Sequence, residues 1–85
     1  MKNKIGENVK NYRIKAGLKQ QDLSDKVGIT ATTLSRIESG NGSIKLDTLI
    51  KIGNVLGVST ERLLFGEDAF VLNSEVMEKV LKIIL

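Results

Sequence analysis

The sequence contains no cysteine, no histidine, no proline and no tryptophan, and its only aromatic residues are one tyrosine and two phenylalanines. Without cysteine there are no disulfides and no thiolate metal sites. Without histidine the chain lacks the usual general base, the usual proton shuttle and the commonest metal ligand. A Ser/His/Asp or Cys/His nucleophile system cannot be written. Clustered carboxylates and a glycine-rich phosphate loop are also missing, so no enzyme, no cofactor and no metal are expected. No 18-residue apolar run exists to span a membrane. No apolar segment follows the lysine-rich start, so no signal peptide is expected and the cytoplasm is the expected location.

What remains is 85 residues, the size of one small domain, with 41% hydrophobic residues to build its core. The net charge is a modest +3, but it is unevenly spread. Residues 1–19 set Lys2, Lys4, Lys10, Arg13, Lys15 and Lys19 against Glu7 alone, residues 20–51 balance, and residues 52–85 are acidic. A basic front end suits a polyanion. On charge alone, a solvated helix face is the plainer explanation.

No repeat or low-complexity segment is present, and the apolar spacing is helical almost throughout. Ile5, Val9 and Tyr12 predict a first helix over residues 3–15, ended by Gly17. Leu23 and Val27 predict a second over 20–27. Thr30 is a suitable cap for a third over 31–39, closed by Gly40 and a loop through Asn41 and Gly42. Asp47 is a fair N-cap for a fourth helix, whose apolar face is Leu49, Ile52, Val55 and Leu56. Ser59 caps a fifth, with Leu63 and Leu64 inside. Tyr12 and Phe65 are expected in the core. After an unassigned stretch at 67–72, Asn73 or Ser74 caps a last helix over 75–85. The expectation is all-α: a helical domain over residues 1–66, then a linker and C-terminal helix over 67–85.

One stretch, "KVGITATTLSRIESG" at residues 26–40, is odd for a helix. It groups Thr30, Thr32 and Thr33, although β-branched residues lose rotamer freedom in helices. Together with "QQDLSD" before it, it makes two short helices meeting at a turn. Ser24 is small at the crossing, Gly28 suits a left-handed backbone, and Ile29 plugs the corner. Leu23, Val27, Leu34 and Ile37 form a shared apolar wedge. This is a helix-turn-helix, whose second helix enters the DNA major groove.

The pattern over residues 5–66 resembles the Cro/C1-type (XRE-like) helix-turn-helix domains of phage repressors and bacterial regulators. Many separate positions carry the resemblance: Gly17-Leu18, Gln20, Leu23, Gly28, Leu34 through Glu38, Gly40, Leu49, Ile52 and Leu56 through Ser59. Family members usually have alanine where Ser24 and Gly53 stand, and often proline where Ile44 stands. Gly53 is expected to weaken its helix by about 1 kcal/mol relative to alanine. The resemblance implies a five-helix, lambda-repressor-like domain and a sequence-specific double-stranded DNA-binding transcriptional regulator. A homodimeric repressor on a palindromic operator is the leading form.

The resemblance places Ala31, Thr32, Ser35 and Arg36 at base-facing positions. Ala31 and the Thr32 methyl can meet thymine methyl groups, and the Arg36 fork suits guanine, although a phosphate contact is almost as good an assignment for Arg36. Gln20 opens the second helix beside a phosphate. Thr30, Thr33, Asn41, Ser43, Lys10 and Lys19 are further phosphate candidates. Thr30 could simply cap its helix, Asn41 could hold a left-handed backbone, and the lysines could be plain solvated charge. Arg13 and Glu38 match a family pair that pins the third helix against the first.

The family pattern stops near Gly66. In the last helix Glu75–Lys79 and Glu78–Lys82 are favourable i,i+4 pairs on a solvated face. Val76, Met77, Val80, Leu81 and Ile84 form a broad apolar one, which implies an interface. Homodimerisation is the first reading and completion of the monomer core the second. A third is that a longer protein continues past "KIIL", which carries no C-cap. An antitoxin, or another module that binds a protein partner through this helix, is the alternative function.

Overall fold

The computed structural model describes residues 4–66, 78, 79 and 81–84. Its elements are α1 (Lys4–Lys15), α2 (Gln20–Val27), α3 (Ala31–Ser39), α4 (Leu46–Leu56) and α5 (Thr60–Phe65). Residues 78, 79 and 81–84 are also helical, and among the described residues there is no strand. None of the described helices is long and apolar enough to cross a membrane.

Every helix gives its apolar stripe to one cluster. Val9 and Tyr12 come from α1, Leu23 and Val27 from α2, Leu34 from α3, Leu49 and Ile52 from α4, and Leu63 from α5. These are the positions at which 3.6-residue spacing brings apolar side chains to one face. Ile5, Leu18, Ile29, Ile44, Val55, Leu56, Val58 and Leu64 are half-buried around the cluster. Within it α1 packs on α3 and α5, α2 on α3 and α4, and α4 on α5. The α2–α3 unit is therefore braced from behind by both α1 and α4.

Three sequence expectations are corrected. Phe65 is not core: it is 67% exposed. Leu63 takes the inward side of the short α5, and two residues further on a helix is about 200° around it. Asp47 is not the N-cap of α4. The cap is Lys45, in extended conformation, and the Asp47 carboxylate sits in the first turn, accepting from the Thr48 N–H at 2.9 Å. There it still complements the helix dipole.

Gly53 is the third, because its lack of a side chain is a packing requirement. It is buried, and a Cβ there would lie 2.8 Å from the Val58 carbonyl oxygen. The chain folds back over it as α4 ends, with the Val58 N–H donating to the Gly53 carbonyl at 3.0 Å.

Candidate nucleic-acid interface

The α2–α3 turn is built from small parts. Gly28 has φ +86°, a backbone that glycine adopts without Cβ strain. Its N–H and that of Ile29 both donate to the Ser24 carbonyl, at 2.9 and 3.0 Å. Ser24 is fully buried where the helices cross, and its hydroxyl donates to the Gln21 carbonyl at 3.0 Å. Thr30 then starts α3: its Oγ1 accepts from the Thr33 N–H at 3.0 Å and lies 2.9 Å from the Thr33 hydroxyl. The threonine-rich start is thus a cap, which satisfies a backbone donor that the helix leaves unpaired.

Leu34 and Ile37 are buried behind α3, while Thr32, Ser35, Arg36 and Ser39 are exposed in front. The front face lines a shallow groove with Gln20, Ala31, Thr32, Ser35, Arg36, Ser39 and Asn41. A second groove runs on the other side of Arg36, between α3 and the start of α4. Thr33, Ser43, Lys45 and Thr48 are among its walls. Arg36 belongs to both, and its guanidinium has no ion-pair partner among the described residues. A Cβ added at Gly42 would reach ordinary contact with the Arg36 stem, 3.6 Å from Cδ.

Behind the groove lies a buried polar network. Arg13 Nε donates to Glu38 Oε2 at 2.7 Å and Arg13 Nη2 to Glu38 Oε1 at 3.1 Å. The third guanidinium nitrogen, Nη1, donates to the Leu18 carbonyl at 2.8 Å. Both side chains are nearly buried, so the fork-to-carboxylate geometry ties α1 to the end of α3 with all three guanidinium nitrogens engaged. Gln20 Nε2 donates to the same Glu38 Oε1 at 3.0 Å.

The sequence-derived candidates divide accordingly. Ala31, Thr32, Ser35, Arg36, Gln20 and Asn41 share the first groove, while Thr33 and Ser43 share the second. Asn41 does not hold a left-handed backbone, since no described non-glycine residue has positive φ. Lys19 is the exposed N-cap of α2, with its N–H donating to Asp22 Oδ2 at 3.0 Å. Lys10 is exposed on α1 and lines neither groove. In the tail, Leu81 and Ile84 are helical and exposed, whereas Val76, Met77 and Val80 lie outside the described residues. No group of acidic side chains among the described residues could hold a metal ion.

Sequence reasoning missed Ser39, Lys45 and Thr48. Ser39 follows Thr32 and Ser35 at i+7 and i+4, so the helical period alone could have put it on that face. Lys45 and Thr48 reach the second groove only because the loop after Gly40 brings the start of α4 across from α3, and no local pattern announces that.

Comparison with known proteins finds the same fold and family. The helix-turn-helix family matches residues 9–63. The SPbeta prophage-derived uncharacterized HTH-type transcriptional regulator YonR of Bacillus subtilis is 42% identical over 65 residues, 76% of this chain and 60% of that protein. The chain thus spans about three fifths of that relative's length. The cryptic phage CTXphi transcriptional repressor RstR of Vibrio cholerae is 34% identical over 80 residues, 94% of this chain and 70% of the relative. Among solved structures, the master regulator for biofilm formation SinR in complex with DNA superposes with a TM-score of 0.68 at 34% identity, over 71% of this chain and 97% of that one. SinR in the SinR/SinI complex gives 0.70 at 32% identity, over 94% and 78%. With the family match covering well over half of its length, the chain belongs to the Cro/C1-type (XRE-like) helix-turn-helix family, a family of transcriptional regulators and not of enzymes.

Proposed function

We propose that this chain binds duplex DNA in a sequence-specific manner, with α3 in the major groove, and acts as a transcriptional repressor in the cytoplasm. The observation that carries the reading is the front of α3. Small hydroxyl side chains and one guanidinium with no ion-pair partner among the described residues lie exposed there, while the opposite side of the helix is anchored in the core. Small residues let a helix sit deep in the groove, and an arginine fork can hold guanine O6 and N7. Gln20, Thr33, Asn41 and Ser43 lie around that face as phosphate contacts, which position without specifying sequence. Lys10 and Lys19 add basic charge to the surface. Ala31, Thr32, Ser35 and Arg36 read base edges.

The repressor works as a homodimer on a palindromic operator, paired through Val76, Met77, Val80, Leu81 and Ile84 of the C-terminal segment. One recognition helix touches few base pairs, and two copies reach half-sites about 34 Å apart. The exposure of Leu81, Ile83 and Ile84 supports an unfilled apolar surface there. A second reading has a favouring observation too: the SinR neighbour is solved with the SinI protein. On that reading the tail binds a different polypeptide, as an antitoxin would, and the helix-turn-helix still serves the operator.

Selection of random duplexes by the purified protein tests the function, followed by titration of the selected and a scrambled duplex across a salt series. A preferred site, with affinity falling as salt rises, is the expected result. Equal affinity for both duplexes removes sequence-specific recognition. Sedimentation of the protein alone and on the selected duplex separates the two tail readings: a dimer supports the first. A monomer that co-purifies with a second chain from its host supports the other.

A further inference from the structure

The link from Gln20 to Glu38 joins two parts with separate roles. Gln20 is the first residue of α2 and lines the groove in front of α3. Glu38 is buried behind α3, paired with Arg13. Its Oε2 accepts from Arg13 Nε, while Oε1 accepts from both Arg13 Nη2 and Gln20 Nε2. One carboxylate therefore receives three N–H donors, two from a buried cation and one from the groove wall.

We infer that Glu38 is a positioning residue for DNA contact, acting through Gln20. A primary amide has two N–H groups and a carbonyl oxygen. The bond to Glu38 uses one N–H and fixes the plane and the direction of the amide. The second N–H is left for a phosphate oxygen at the rim of the groove. A free glutamine loses rotamer freedom when it grips a ligand, whereas one already held loses little. The arrangement also solves a charge problem. A carboxylate facing DNA repels phosphate, but Arg13 neutralises Glu38 from behind and the neutral amide stands in front of it. The start of α2 adds backbone N–H groups of the same polarity. Arg13 and Glu38 thus tie the scaffold and the interface together, so that a change in the buried pair is felt at the groove.

This inference rests on the DNA-binding reading above. The test is a double-mutant cycle on the selected duplex, with helical circular dichroism recorded for each variant. Gln20→Met keeps the length and removes the amide. Glu38→Asp keeps the charge but is one methylene too short to serve Arg13 and Gln20 together. Each single change is expected to weaken binding about threefold to tenfold, the effect of one net hydrogen bond. Glu38→Asp is expected to add nothing in the Gln20→Met background, and the salt dependence is unchanged because no cationic contact is lost. Additive losses, or a Glu38→Asp variant that binds as wild type, overturn the inference. If Glu38→Asp fails to fold, nuclear magnetic resonance of the wild-type Gln20 side-chain amide decides. A rigid amide in both the free and DNA-bound protein is expected, and rapid averaging in the free protein overturns it. If the wild type binds no duplex, the DNA-binding reading itself has failed and takes this one with it. Binding with an additive cycle removes only the role of Glu38.

Discussion

Gly6 on α1 lies directly against the carbonyl oxygen of Ile37 on α3. A Cβ on Gly6 would overlap that oxygen and stand 2.9 Å from the carbonyl oxygen of Glu38 as well. The two helices meet backbone to backbone, and this contact holds the end of α3 in place.

Gly6→Ala is therefore expected to destabilise the fold, although alanine is the better helix former. The atoms in the way are backbone, so the helices must separate. Overpacking of this kind costs about 1–3 kcal/mol, and a melting temperature lower by roughly 4–8 °C for each kcal/mol is the expected readout. A variant as stable as wild type would show that α1 and α3 slide apart freely.

Gly53→Ala tests the same principle against a stronger competing term. Helix propensity alone favours alanine by about 1 kcal/mol. The Val58 carbonyl oxygen would stand 2.8 Å from the new Cβ, and it belongs to the turn that closes α4. Net destabilisation is expected in urea unfolding. Stabilisation by the full propensity difference would mean that the α4–α5 turn shifts without resistance.

The two glycines mark the limit of what the sequence discloses. Helix positions follow from the apolar period and from the caps at Thr30 and Ser59, because both are local. Gly6 has no such signal: it sits inside a helical pattern, and its reason lies on α3, thirty or so residues away. Phe65 shows the converse error, for an aromatic in an apolar run looks like core until the short α5 turns it outward. The groove was half legible. Residues on the face of α3 can be found by spacing, whereas Lys45 and Thr48 arrive by tertiary packing. The bond from Gln20 to Glu38 depends on side-chain reach across a helix crossing, which no periodicity encodes.

The buried pair gives a third expectation. Arg13→Ala strands the Glu38 carboxylate in a nearly closed site, where removing one partner of a buried pair costs about 3–5 kcal/mol. An exposed pair would cost about 0–1 kcal/mol. The Arg13→Ala, Glu38→Ala double variant should recover part of the loss. A cycle in chemical denaturation measures the coupling, and zero coupling would reduce the pair to a surface contact.

Thr30→Ala removes the N-cap of α3. About 1 kcal/mol of stability should be lost, and Thr30→Ser should restore it, because the accepting oxygen is what matters to the Thr33 N–H. A serine variant as weak as the alanine variant would show that the threonine methyl, rather than the hydroxyl, is the stabilising part.

The sharpest expectation concerns Arg36, because its two possible roles differ in a measurable way. Its side chain is exposed and lines both grooves. If it forks onto a guanine, Arg36→Ala should cost about 1–3 kcal/mol on the selected duplex and relax the preference at one base pair. Its effect on scrambled duplexes should then be small. If instead it meets a phosphate, binding should weaken about equally on every sequence, and the salt slope should shallow by about one. Binding of the wild type and Arg36→Ala to the selected duplex, to its single-base-pair variants and to scrambled DNA separates these outcomes. Loss confined to the selected site, with tolerance at one position, is the expected result. Uniform loss would move Arg36 to the phosphate contacts and leave Thr32 and Ser35 as the polar readers on α3.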